Sequence, residues 1–122
     1  MAQVLIVDDS PTETHLLRDM LEKNGHSVIT AENGAIGVKV CKEKKPDLVL
    51  MDVVMPELNG FQATRQLSKD PETAHIPIII VTTKDQETDR LWGLKQGARD
   101  YLTKPVSEKA LMTTLKSLLG QG

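Results

Sequence analysis

Residues 4–15 read VLIVDDSPTETH, four apolar residues that stop on two adjacent carboxylates, Asp8 and Asp9, before Ser10 and Pro11. A short unbroken apolar run is the pattern of a strand covered on both faces. Ser10 ahead of Pro11 marks a helix that starts at once, a side-chain cap followed by a proline whose missing N–H costs nothing at the first helical position. Two like charges at the end of a buried strand repel, and each resists leaving water unless a cation or hydrogen-bond donors compensate it. The stretch therefore predicts a strand, a tight turn and a helix, with an acidic site at the turn that positive charge from elsewhere must complete.

The same alternation continues along the chain. Strands are predicted near Val4 to Val7, Ser27 to Thr30, Leu48 to Met51, Ile78 to Thr82 and Asp100 to Leu102. Between them lie helices from about Pro11 to Lys23, Gly34 to Lys44, Gly60 to Lys69, Gln86 to Gln96 and Ser107 to Leu119, with Gly25 and Gly97 where helices should stop. Strands alternating with amphipathic helices build an α/β fold, a doubly wound parallel sheet with helices on both faces. VLIV, LVLM and IIIV are continuously apolar and read as central strands. The second and fifth strands are more polar and read as edges.

With 122 residues, 15 basic and 17 acidic side chains and a formal charge of -2, one acidic domain is expected. The charge balance argues against nucleic acid as a direct partner. Cys41 is the single cysteine, so an internal disulfide or a four-thiolate metal site is excluded. The chain shows no signal peptide, membrane-length apolar span, linker, repeat or low-complexity segment. A cytoplasmic single domain without an attached output domain is the expectation.

In an open parallel sheet the chemistry sits at the carboxyl ends of the strands. The first strand delivers Asp8 and Asp9 there, the third Asp52, the fourth Thr82, and the fifth runs YLTKP to Lys104 and Pro105. Three carboxylates, a hydroxyl and a lysine at one sheet edge suit a hard divalent cation such as Mg²⁺, beside a nucleophilic carboxylate and an ammonium able to hold phosphoryl oxygens. Each alone has a plainer reading: an aspartate at a strand end caps a turn, a lysine is solvated, a threonine hydroxyl bonds backbone. Five in register outweigh it. His15, His26 and His75 share no metal-ligand spacing. Cys41, Met51 and Met55 read as packing, KEKK at 42–45 as a soluble helix end suited to the dipole, and Trp92 as a partly buried anchor or a partner contact.

DD at 8–9, LMDVVMPELNG at 50–60, VTT at 81–83 and KP at 104–105 together resemble the receiver domains of two-component response regulators, across essentially the whole chain. VDDSPTE, VVMPELNGFQATRQL and VTTKDQETDRLWGLKQGARDYLTKPV are more closely similar to stand-alone, chemotaxis-like receivers of the PilH type, associated with twitching motility and type IV pili. The resemblance implies a flavodoxin-like sheet of order 2-1-3-4-5 with five helices, and reversible phosphorylation of Asp52. It implies Mg²⁺ on Asp9, Asp52 and the Val54 carbonyl, with Asp8 helping through water. Lys104 would pair with Asp52 and then with the phosphoryl group, aimed by a cis Pro105. Thr82 would move towards that group, letting Tyr101 turn inward. Implied partners are a CheA-like histidine kinase as donor and a motility protein on the face of the fourth helix, fifth strand and fifth helix. The switch would be a monomer, with no enzymatic activity beyond promoting its own phosphorylation and dephosphorylation. Val54 and Lys84 occupy the two positions lining the path of the hydrolytic water, and valine cannot orient it, so slow dephosphorylation is expected.

Two other classes fit less well. A haloacid-dehalogenase-type hydrolase repeats an aspartate two residues after its nucleophile, where Val54 stands. A flavodoxin-like FMN carrier needs a Ser/Thr/Gly phosphate loop after the first strand, where DDSPTET presents carboxylates.

Overall fold

The computed structural model describes residues 1–56 and 58–120; Glu57, within the LMDVVMPELNG motif, lies outside the described residues. Its elements are β1 (Gln3–Val7), α1 (Pro11–Lys23), β2 (Ser27–Ala31), α2 (Gly34–Lys44), β3 (Leu48–Met51), α3 (Gly60–Lys69), β4 (Ile78–Thr82), α4 (Glu87–Lys95), β5 (Asp100–Thr103) and α5 (Glu108–Leu119). The strands form one parallel sheet in the order β2-β1-β3-β4-β5. Edges and centre fall where strand polarity placed them. α4 and α5 start one residue later than their sequence pattern, because Gln86 and Ser107 are caps, and Gln96 closes α4 as its C-cap.

Alternation along each strand divides the core between the two faces of the sheet. Val4 and Ile6, Leu48 and Leu50, and Ile79 and Val81 pack with Leu17 and Leu21 of α1 and Leu111, Met112 and Leu115 of α5. Leu5 and Val7, Val49 and Met51, and Ile78 pack with Val38 and Cys41 of α2 and Ala63 and Leu67 of α3. The Cys41 thiol is fully buried and burial pushes its pKa up to about 11, as suits a packing residue. Met51 and Met55 belong to the same cluster.

Local chemistry sets the helix ends. Ser10 Oγ accepts from Glu13 N, and Asn59 and Gln62 form a reciprocal capping box at α3. Gly25 and Gly97 follow α1 and α4 with φ of +86° and +115°. The KEKK segment does more than end a helix in solvent: Lys42 pairs with Asp70 at 3.1 Å, and Lys45 donates to the Glu72 carbonyl at 3.0 Å, so the end of α2 is tied to the α3–β4 turn. The Lys104–Pro105 peptide is cis.

Gly60 lets α3 start hard against the end of β3. A Cβ there would run into the Asp52 carbonyl oxygen and come within 2.7 Å of Val53 Cα, and neither is a side chain that can rotate away. Gly60→Ala is expected to lower the unfolding free energy by about 2 kcal/mol or more. Gly120→Ala, with nothing within 4 Å of the added methyl, should cost about 1 kcal/mol through its positive φ alone. Urea unfolding of the two variants checks the order.

Candidate functional site

Strand register assembles the site. Val7 pairs with Met51 across β1 and β3, so Asp8 and Asp52, each one residue further on, leave the sheet side by side. Both backbones extend the ladder, Asp8 N donating to the Ala31 carbonyl at 3.1 Å and Asp52 N to the Val7 carbonyl at 2.9 Å. Thr82 pairs with Thr103 across β4 and β5, and Lys104 N then donates to the Thr82 carbonyl at 2.8 Å. That bond fixes the root of the Lys104 side chain next to the two acids.

The charges meet on one nitrogen. Lys104 Nζ donates to Asp8 Oδ2 at 2.8 Å and to Asp52 Oδ2 at 3.0 Å, and all three side chains are at most 9% exposed. The remaining carboxylate oxygens are also held: Asp8 Oδ1 accepts from Ser10 N at 2.9 Å, and Asp52 Oδ1 from Val54 N at 3.0 Å. For Lys104, burial works against the charged form, but its hydrogen bonds to Asp8 and Asp52 and their negative charge together outweigh it, and its pKa is raised. The ammonium stays charged well above neutral pH.

The remaining expected residues divide. Thr82 is fully buried, with Oγ1 accepting from Lys84 N at 3.4 Å. Val54 stands at the mouth, 51% exposed, and the Lys84 side chain faces solvent. Asp9 is exposed and does not join the two buried acids. Among the described residues no group of three His, Cys, Asp or Glu side chains is close enough to hold a metal ion. Asp8 and Asp52 meet on either side of Lys104, and Asp9 is exposed beside Asp8 at the same end of the sheet. The donor set nevertheless suits Mg²⁺, since the oxygens of Asp8, Asp9 and Asp52 are hard ligands and one ammonium leaves the Asp8–Asp52 pair a net negative charge.

Tyr101 is inside, 5% exposed, its hydroxyl donating to the Lys84 carbonyl at 2.7 Å. Room for the ring comes from Gly93 of α4, where a Cβ would lie 3.1 Å from Tyr101 Cδ2 and 2.7 Å from Ile80 Cδ1. The sequence carried one sign of this contact, a glycine inside a helix, where it is unfavourable unless something approaches closely. The contact of Asp8 with Lys104 had no such sign. His15 faces Asp19 on α1, and His26 Nδ1 accepts from Ala2 N.

Burial, then the negative charges of Asp89, Asp52 and Asp85, pushes the Tyr101 pKa up to about 12 from 10.0. The fold favours the neutral phenol, so this contribution to stability is complete below pH 10 and is lost as the pH rises through 12. Tyr101 is the single tyrosine, so phenolate absorbance after a pH jump reads it directly. A midpoint near 12 is expected in the wild type and a lower one in Asp52→Asn; a midpoint of 10 would contradict the buried geometry.

The response regulator receiver domain family model matches residues 4–116. Protein PilH of Pseudomonas aeruginosa is 66% identical over 119 residues, covering 98% of each chain. Response regulator PleD of Caulobacter vibrioides is 38% identical over 96% of this chain, which spans 26% of that protein. Among solved structures, Vibrio cholerae chemotaxis protein CheY4 has a TM-score of 0.90 at 29% identity, covering 98% of this chain and 99% of its own. The receiver domain of sensor histidine kinase PA1611 from P. aeruginosa, solved with a magnesium ion coordinated in its active-site cleft, has a TM-score of 0.90 at 30% identity over 98% of both chains.

Proposed function

The chain belongs to the response regulator receiver family, and we propose that it is a signalling switch that accepts a phosphoryl group on Asp52. Receivers take this group from histidine kinases. The observation that carries the assignment to Asp52 is the buried Lys104 ammonium bridging Asp8 and Asp52 at 2.8 and 3.0 Å.

The chemistry asked of the chain is modest. An oxygen of Asp52 attacks the phosphorus of a phosphohistidine, the P–O bond forms as the P–N bond breaks, and that electron pair returns to the imidazole nitrogen. Val54 N holds one carboxylate oxygen and Lys104 the other, so the nucleophile is oriented before the donor arrives. Asp8 retains Lys104 at the site while Asp52 reacts, leaving the ammonium to pair with a phosphoryl oxygen. Asp8, Asp9, Asp52 and the Val54 carbonyl would hold Mg²⁺, which when bound offsets the repulsion between an anionic acceptor and an anionic donor. Thr82 Oγ1 donates its proton to the phosphoryl group, the movement of the hydroxyl stretches the long bond it accepts from Lys84 N, and the Lys84 carbonyl carries that change to the Tyr101 hydroxyl.

The wider role rests on the similarity to Protein PilH. Its reach over 98% of both chains supports reading residues 1–122 as one receiver domain, monomeric and cytoplasmic, serving a CheA-like kinase in chemosensory control of twitching motility or chemotaxis. No described helix is long and apolar enough to cross a membrane. The output face is formed by α4, β5 and α5, where Tyr101 meets α4.

Phosphoramidate with Mg²⁺ should place one acid-labile phosphoryl group per chain on the wild type and none on Asp52→Asn; labelling of both at one rate would overturn the assignment. Half-exposed Val54 cannot bind a water, so Val54→Asn should speed loss of the label about tenfold, a change of about 1.4 kcal/mol at the transition state. Decay as slow as in the wild type would place control of the water elsewhere.

A further inference from the structure

A third apolar cluster lies apart from the two that cover the faces of the sheet. Val53, Ile80, Ala98 and Tyr101 are buried in it, and Phe61 of α3 packs against them. Its members link distant parts of the molecule. Val53 directly follows the acceptor, Tyr101 is tied through its hydroxyl to the Lys84 carbonyl, and Ala98 lies just beyond the end of α4.

The face of α3 that carries Phe61 continues this contact. Arg65 and Ser68 follow Phe61 by four and seven residues and so share its stripe of the helix. Arg65 Nη1 donates to the side-chain Oε1 of buried Gln96 at 3.4 Å. A Cβ on Gly97 would run into Ser68 Oγ and come within 2.6 Å of Ser68 Cβ. The three consecutive residues that close α4, Gln96, Gly97 and Ala98, are thus seated along one side of α3. The start of α3 is equally constrained. Gly60 N donates to the Val53 carbonyl at 3.4 Å, and Gly60 has no room even for a methyl group against the backbone of Asp52 and Val53. Between these ends runs an unbroken helix of ten residues, about 15 Å long.

We propose that α3 is a second strut from the acceptor to α4. A change at Asp52 and Val53 moves the C-terminal end of α4 through Phe61, independently of the contacts that reach its N-terminal end through Thr82, Lys84 and the Tyr101 hydroxyl. The proposal rests on Asp52 as the acceptor. What drives the strut is a competition at the carboxylate, whose two oxygens are held by Lys104 and by Val54 N. Phosphorus on one oxygen and a cation at the other compete with both donors, so the loaded acceptor favours a different setting of the Val53–Val54 backbone. Val53 is buried against Phe61 and Ala98, and close-packed side chains leave no slack to absorb such a change.

The test is amide hydrogen exchange at Gly97 and Ala98, followed by NMR on the whole protein with and without beryllofluoride and Mg²⁺, a stand-in for the phosphoryl group. Fluorine NMR measures the bound fraction, and every comparison is made at saturation. In the wild type, binding should change exchange at these two amides by about twofold or more. Tyr101→Phe, which keeps the ring and removes the hydroxyl, should retain that change; Phe61→Leu, which keeps an apolar side chain and removes the ring, should lose it. Ile29→Ala loosens the core on β2, away from the strut, and should behave as the wild type. Trp92, the single tryptophan, is 50% exposed and one turn before Gln96, and gives a second reading. Its emission should respond to beryllofluoride in Tyr101→Phe and not in Phe61→Leu. A response lost in Tyr101→Phe, kept in Phe61→Leu, lost equally in Ile29→Ala, or absent from the saturated wild type would each overturn the strut while leaving the acceptor assignment standing. No bound beryllofluoride in the wild type, or equal binding by Asp52→Asn, would overturn the acceptor assignment and the strut with it.

Discussion

Two carboxylates forced side by side at the end of a buried sheet are the constraint on which the rest of the structure turns. Once Val7 pairs with Met51, Asp8 and Asp52 must emerge next to each other, and both are nearly excluded from water. An uncompensated pair there would be strongly destabilising, and removing the cation from a buried ion pair typically costs about 3–5 kcal/mol. The chain supplies its own cation from 52 and 96 residues away in sequence. The fifth strand, the backbone bond from Lys104 to Thr82 and the fixed exit of the chain into α5 together place that ammonium. The charge that stabilises the resting site is the same charge that a transferred phosphoryl group needs.

The contacts leaving the site are contiguous. Lys104 N bonds the Thr82 carbonyl, Thr82 Oγ1 accepts from Lys84 N, the Lys84 carbonyl accepts from the Tyr101 hydroxyl, and the Tyr101 ring lies against Gly93 of α4. The bond from Lys84 N to Thr82 Oγ1, at 3.4 Å, is the weakest. Because Oγ1 accepts in that bond, the hydroxyl proton is not used by it, and a long bond of this kind is the one most easily lost if the hydroxyl moves. Contiguity alone does not couple two sites; coupling requires that the phosphoryl group have different affinities for two arrangements of these residues. Tyr101 is inward in this structure, its hydroxyl on the Lys84 carbonyl, so any second arrangement would have to differ from it in the β4–α4 turn or in the ring itself.

What could be read from the sequence was set by local rules. Unbroken runs such as LVLM and IIIV, the cap at Ser10 and the glycines after α1 and α4 determine strand, turn and helix within a few residues, and these were legible to within about one position at each boundary. The carboxyl-end rule for parallel sheets then gathers Asp8, Asp52, Thr82 and Lys104 without further information. Contacts that depend on side-chain direction were not legible. Asp9 differs from Asp8 only by one step of alternation, yet one is exposed and the other bound to Lys104. The pairing of Lys42 with Asp70 needs the distance between the ends of two helices, which no periodicity encodes. Tyr101 is inward because Gly93 lies over it, and Trp92 is outward because it is one residue earlier on the same helix.

Placement of the site and stability of the fold are one constraint. β3 is four residues long and β1 five, and every residue of β3 and the last four of β1 are buried. A slip of one residue in either strand would exchange its two faces, in one direction drawing Asp8 or Asp52 into the sheet and in the other carrying Val7 or Met51 out to the acidic end. The repeated apolar run before each carboxylate prevents this, because an incorrect register either buries a charge or leaves an apolar residue at the acidic end. Gly60 adds a second stop at the same place, letting α3 close against the Asp52 carbonyl. The Asp52 carboxylate is therefore positioned by fully buried backbone, while the residues beside it, Val54 and Asp9, are exposed. Exchanges at those exposed positions can change what reaches the Asp52 carboxylate without moving the carboxylate itself.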